Sequence, residues 1–112
     1  MRGMEKYSDI RGCQFLPEEL VSYQEGSVVS RTLIEQNGGT ITVFAFDSGQ
    51  ALSEHMAPYE AFVQIIDGEA EIIIDGQPNA VSRGSFLIMP ANVPHSVRAN
   101  ERFKMILTMV RG

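Results

Sequence analysis

From Val28 to the end of the chain, short apolar-rich runs alternate with turn residues. VVSRTLIEQ is followed by Asn37-Gly38-Gly39, TITVFAF alternates strictly from Thr40 to Phe46, and DSGQ at 47–50 breaks the pattern. EAFVQIID closes on Asp67-Gly68 and EAEIIID on Asp75-Gly76. Glycine accepts a positive φ without steric cost, so each Asp-Gly predicts a tight turn. PNAVS then meets Arg83-Gly84, SFLIM meets a corner between Pro90 and Pro94, and SVRA turns through Asn100-Glu101 into RFKMILTMV. About eight or nine strands at a spacing of roughly ten residues, with no long helical period, predict an all-β sandwich or barrel of mostly antiparallel strands. Residues 1–27 lack this texture and read as an irregular N-terminal arm. There FLPEELVSYQEG fits either one helical turn after Pro17 or an extended segment. The expected division is therefore an arm over 1–27 and a β-barrel domain over 28–112.

Strand parity adds a prediction about assembly. Side chains alternate between faces, so Ala61, Val63 and Ile65 lie opposite Phe62, Gln64 and Ile66. Ile72 and Ile74 share a face that Ile73 does not, and Phe103, Met105, Leu107 and Met109 oppose Ile106, Thr108 and Val110. Both faces of several strands are apolar, whereas the outer face of a lone antiparallel barrel is ordinarily wet. The outer face is thus expected to be covered, either by a second subunit in a homodimer or by the N-terminal arm.

Composition narrows the class. The chain has 112 residues, enough for one domain with its own core, and a single cysteine, Cys13, which excludes an intrachain disulfide and suits a reducing, cytoplasmic setting. Its 14 acidic and 9 basic residues give a net charge of −5, and the basic ones are scattered singly, so nucleic acid is not an expected partner. The longest apolar run, Phe86–Ala91, falls far short of the ~20 residues that span a bilayer, so no membrane partner is expected, and the N-terminus lacks the apolar stretch of a signal peptide.

Two histidines remain as candidate chemistry. Gly49-x5-His55 with Gly68 downstream, then Gly84-x5-Pro90-x-Asn92-x2-His95, is similar to the paired motifs of the cupins, over about residues 28–110. The resemblance implies a single jelly-roll β-barrel. The second motif, GSFLIMPANVPHSV, matches most closely; Asn92 stands where the family has glycine, and asparagine tolerates left-handed backbone best after glycine. In the first motif the family pattern His-x-His, Glu, Gly falls on His55, Ala57, Ala61 and Gly68. Of the four metal ligands the family would supply, only His55 and His95 are therefore present.

Two imidazoles hold a divalent ion weakly, because stable sites use three or four protein ligands. The resemblance still leaves room for a weakly bound Fe, Mn, Zn or Ni at His55 and His95. Glu60 is the nearest carboxylate for a third position and Glu54 the next. Strict alternation points both away from the His55 face unless Pro58 shifts the parity. The alanines at 57 and 61 remove bulk from the site the motifs define. This predicts a small-molecule pocket lined by His55, Ala57, Ala61, Met89, His95, Phe103, Met105 and Met109. Three readings follow: a binding or regulatory cupin taking a small molecule, a metal-dependent oxygenase or an isomerase acting on a small oxygenated substrate, and a structural dimer with a filled barrel. A fold of this kind hosts unrelated activities and selects none of them by itself.

Overall fold

The computed structural model describes residues 10–111. Among them are a single 3-10 turn, Pro17–Glu19, and eight strands. These are β1 (Val28–Gln36), β2 (Gly39–Phe46), β3 (Ala51–His55), β4 (Ala61–Ile74), β5 (Gln77–Ser82), β6 (Phe86–Met89), β7 (His95–Arg98) and β8 (Phe103–Val110). All pairings are antiparallel, and β4 belongs to two sheets at once. Its first half lies in the order β1-β2-β8-β4-β6, its second half in the order β3-β7-β4-β5. The result is the all-β antiparallel barrel that the alternation predicts.

The two Asp-Gly dipeptides behave differently. Asp75 (φ 50°) and Gly76 (φ 79°) form a two-residue turn between β4 and β5, with Ile74 opposite Gln77. The positive φ at both positions suits the twist of the paired strands. Asp67-Gly68, expected to close a hairpin, lies instead inside the 14-residue strand β4. The register against β8 slips between Ile65 and Asp67, and Gly68 takes φ 71° at the slip, so its conformational freedom bends the strand from one sheet into the other. A Cβ at Gly68 would stand 2.2 Å from the Arg102 carbonyl oxygen, so no other residue fits there.

Parity sorts the apolar residues as expected. Val63, Ile65, Ile72, Phe103 and Met105 fill the barrel, with Phe46 stacked on Phe103 at 4.5 Å between ring centroids. The opposite face of the first sheet carries a second, smaller cluster of Val43, Ala45 and Ile66, which the arm covers with Val21, Leu20 and Tyr23. A polar cluster fixes the arm in place. The Tyr23 hydroxyl donates to Asp67, the Lys104 ammonium donates to the Glu18 carbonyl at 2.8 Å, and Arg102 and Lys104 both stand over the Tyr23 ring. Asp47 accepts from the Gly26 amide at 2.6 Å and from Arg102 Nε at 2.8 Å. Arm cover therefore accounts for part of the doubly apolar pattern. The remainder, around Phe62, Phe86, Ile88 and Val110, is not in that cluster.

Candidate functional site

His55 is the last residue of β3 and His95 the first of β7, and the two are direct partners in the ladder that joins these strands. Pairing of strand ends thus turns residues forty positions apart in sequence into neighbours. Their rings meet edge-on, with centroids 4.3 Å apart, and the two Nε2 atoms lie 3.0 Å from each other. His95 is buried, at 4% exposure, while His55 is open to solvent.

The other nitrogen of each ring determines what the pair can do. His55 Nδ1 donates to the Ser53 carbonyl at 2.9 Å and His95 Nδ1 to the Val93 carbonyl at 3.2 Å. A carbonyl oxygen only accepts, so each Nδ1 keeps its proton and each neutral ring presents a bare lone pair at Nε2. Two lone pairs face each other at hydrogen-bond distance. A proton or another cation between them turns this repulsion into attraction, and an acidic ligand group supplies that proton. Burial, then the charge of His55, pulls the His95 pKa below the ordinary histidine value, with the Val93 hydrogen bond pushing the other way. His95 is therefore neutral near pH 7 and available to accept.

The remaining predicted residues fall into two groups. Ala57 lies in the loop after His55, where its carbonyl accepts from the Asn92 amide at 2.7 Å; Asn92 itself has φ 62°, the left-handed geometry its place in the motif calls for. Ala61 is buried and stands opposite Met89 and Met109, so these three share a level of the barrel. Met105 and Phe103 lie farther along β8, opposite Ile65 and Gly68, and are wholly buried in the core. Glu60 is exposed beside buried Ala61, as strict alternation requires, and Glu54 is exposed too. Among the described residues no group of three His, Cys, Asp or Glu side chains is placed to hold a metal, so neither carboxylate joins the pair. Two of the grooves among the described residues have volumes of about 300 and 320 Å³. One is lined by Glu69, Glu71, Asn79 and Asn100, the other by Ile34, Ile41, Thr108 and Val110, and neither includes a histidine. The Ser53 and Val93 carbonyls, which set the tautomers, escape sequence reasoning because a backbone acceptor has no letter of its own.

These features define a class: a single-domain jelly-roll barrel with convergent imidazoles where two strands end side by side. The model of the cupin domain family matches residues 42–111, and the chain belongs to that family. It is 37% identical to a conserved protein of unknown function from Streptococcus pyogenes, over 91% of this chain and 89% of that one, with a TM-score of 0.83. It is 40% identical to a cupin 2 conserved barrel domain protein from Leptotrichia buccalis, over 84% of this chain but 46% of that one, at a TM-score of 0.82. A cupin superfamily protein from Desulfitobacterium hafniense superposes with a TM-score of 0.86 at 25% identity, covering 91% and 94% of the two chains. None of the curated proteins searched matches the chain.

Proposed function

We propose that this cupin domain binds a small acidic molecule, a carboxylic acid or a phenol, through His55 and His95. The observation that carries the reading is the pair of bare Nε2 atoms 3.0 Å apart, each held in that tautomer by a backbone carbonyl. A neutral imidazole pair accepts the acidic proton of the ligand. The imidazolium so formed then makes a charge-assisted hydrogen bond to the anion left behind, and burial on the His95 side strengthens it. Binding from solution above the ligand's own pKa takes up a proton, so affinity falls as pH rises.

Titration calorimetry with benzoate and with small phenols, in two buffers of different ionisation enthalpy, tests this. The expected result near pH 7 is saturable binding, with net proton uptake for benzoate and none for the phenols, which bring their own proton, and both abolished in His95→Ala. Absence of any heat or thermal shift from every acid tried sinks the reading.

A second reading is a divalent metal on the same two nitrogens, serving an oxygenase or an isomerase. The Nδ1-to-carbonyl tethers favour it, because they orient histidines that bind metals. The donor set does not fit a firmly held ion: Ala57 and Ala61 offer nothing, and no carboxylate joins the imidazoles. Stoichiometric metal in protein purified without added metal, lost in His95→Ala, would establish this reading against the first.

A further inference from the structure

Building on the acid-binding reading of the histidine pair, we propose that its ligand is a ring-bearing acid with an uncharged hydroxyl at the far end, recognised by the Gln77 carboxamide. Register brings Gln77 into the site. His55 of β3 pairs with His95 of β7, His95 with Ile74 of β4, and Ile74 with Gln77 of β5. Directly opposed residues of an antiparallel ladder point to the same face, so one cross-strand row carries all four side chains.

That face is the barrel interior. Ile74 packs against the core cluster that contains Val97, Ile72 and Val81 on the same side of these strands. Exposure rises along β5 from buried Val81 through half-buried Asn79 to exposed Gln77, so Gln77 stands on the inner side at the rim. Its place is fixed. The two-residue turn at Asp75-Gly76 sets Gln77 opposite Ile74, and the Asp75 amide donates to the Pro94 carbonyl at 2.8 Å, which ties this turn to the residue before His95.

The row is polar at both ends and apolar between them. At one end are the bare Nε2 atoms of the histidines, and Ile74 is the middle. Met89, Ala61 and Met109, which form a row of the first sheet, belong to or pack on the same core cluster as Ile74, so a ligand held by the histidines has apolar neighbours along its body. At the other end the two amides of β5 differ. The Asn79 carboxamide donates to the Ile72 carbonyl at 3.2 Å and to the Gln77 carbonyl at 3.1 Å. The Gln77 carboxamide has no hydrogen-bond partner among the described residues. It offers donors and an acceptor together. A hydroxyl uses both, whereas a cation or a second carboxylate uses one and leaves the other facing it.

Spacing sets the length of the ligand. Strands in a ladder lie about 4.8 Å apart, so Gln77 is roughly 10 Å from His95 along the row, backbone to backbone. A six-membered ring with groups on opposite carbons, and a hydrogen bond of about 3 Å at each end, covers a gap of that order. A short acyclic acid reaches one end only.

Titration calorimetry with para-(hydroxymethyl)benzoate and para-ethylbenzoate tests this, because the two share an acid group and nearly a shape and differ in the terminal hydroxyl. The native chain should bind the alcohol about tenfold more tightly, the worth of one ordinary hydrogen bond. In Gln77→Leu that preference should vanish or reverse, with affinity for unsubstituted benzoate and far-ultraviolet circular dichroism unchanged. Equal affinity of the native chain for the two acids overturns the proposal, as does a preference that survives Gln77→Leu. In either case saturable benzoate binding would leave the histidine reading standing. If no acid binds the native chain, the histidine reading falls and the role of Gln77 falls with it.

Discussion

Asp47, Arg102, Tyr23 and Asp67 form one polar cluster of this barrel, and His55 and His95 form another. In the first, the Arg102 guanidinium and the Gly26 amide both donate to Asp47, and the Tyr23 hydroxyl donates to Asp67 beneath two cations. Donors and acceptors match, and the cluster does structural work by pinning the arm. In the second, the backbone takes the protons of both Nδ1 atoms and leaves two acceptors facing each other. Groups matched within the fold have nothing left for a ligand, whereas an unmatched pair is completed by what it binds. The contrast separates a fastening from a site without any appeal to where a cavity lies.

Experiments can press on this contrast from either side. The largest effect is expected from Phe103→Ala, which removes the ring stacked on Phe46 close to the Asp47 end of β2. A loss of about 3–5 kcal/mol in denaturant unfolding is expected, and a loss below 1 would show that the arm's fastening does not depend on the core beneath it. Tyr23→Phe keeps the ring under the cations but removes the donor to Asp67, and should cost about 1 kcal/mol by the same measurement.

Acid should affect the two clusters in different ranges. The Arg102 and Gly26 hydrogen bonds hold the Asp47 carboxyl below its ordinary pKa, so its contribution is present above the usual aspartate value of about 3.9 and is lost as pH falls below it. His95, with its pKa depressed by burial, favours the neutral form in the fold. Stability should therefore decline as pH drops through about 6.5, where the unfolded chain takes up the proton first. The smallest effect is expected from His95→Gln at pH 7.5, within about 1 kcal/mol of the native chain. That variant should flatten the decline below pH 6.5 in a melting-temperature series. An equally steep slope in its presence would assign the decline to other groups.

Much of the barrel is legible in the letters because its strands obey a period of two. Met105 against Ile106 and Ala61 against Phe62 sort to inside and outside from parity alone. Strand β3, ALSEH, shows how the signal fails: only Leu52 among its residues packs on the core, and its pairing with β7 rather than its own pattern holds it in place. Asp67-Gly68 misleads for a different reason, since positive φ serves a bend within a strand as readily as a hairpin turn. In the site, the identity of the histidine pair is readable from motif spacing. The protonation of the two rings is not, because it depends on carbonyls two residues upstream whose direction only the folded backbone fixes.

The bend at Gly68 has a mechanical consequence. Because β4 pairs with β5, β6, β7 and β8, loss of this one strand opens both sheets at once, whereas β2 and β3 reach it only through β8 and β7. Amide hydrogen exchange should accordingly be slowest along β4 and report a single global event on both sides of the bend. The barrel then comes apart as one cooperative unit rather than leaf by leaf.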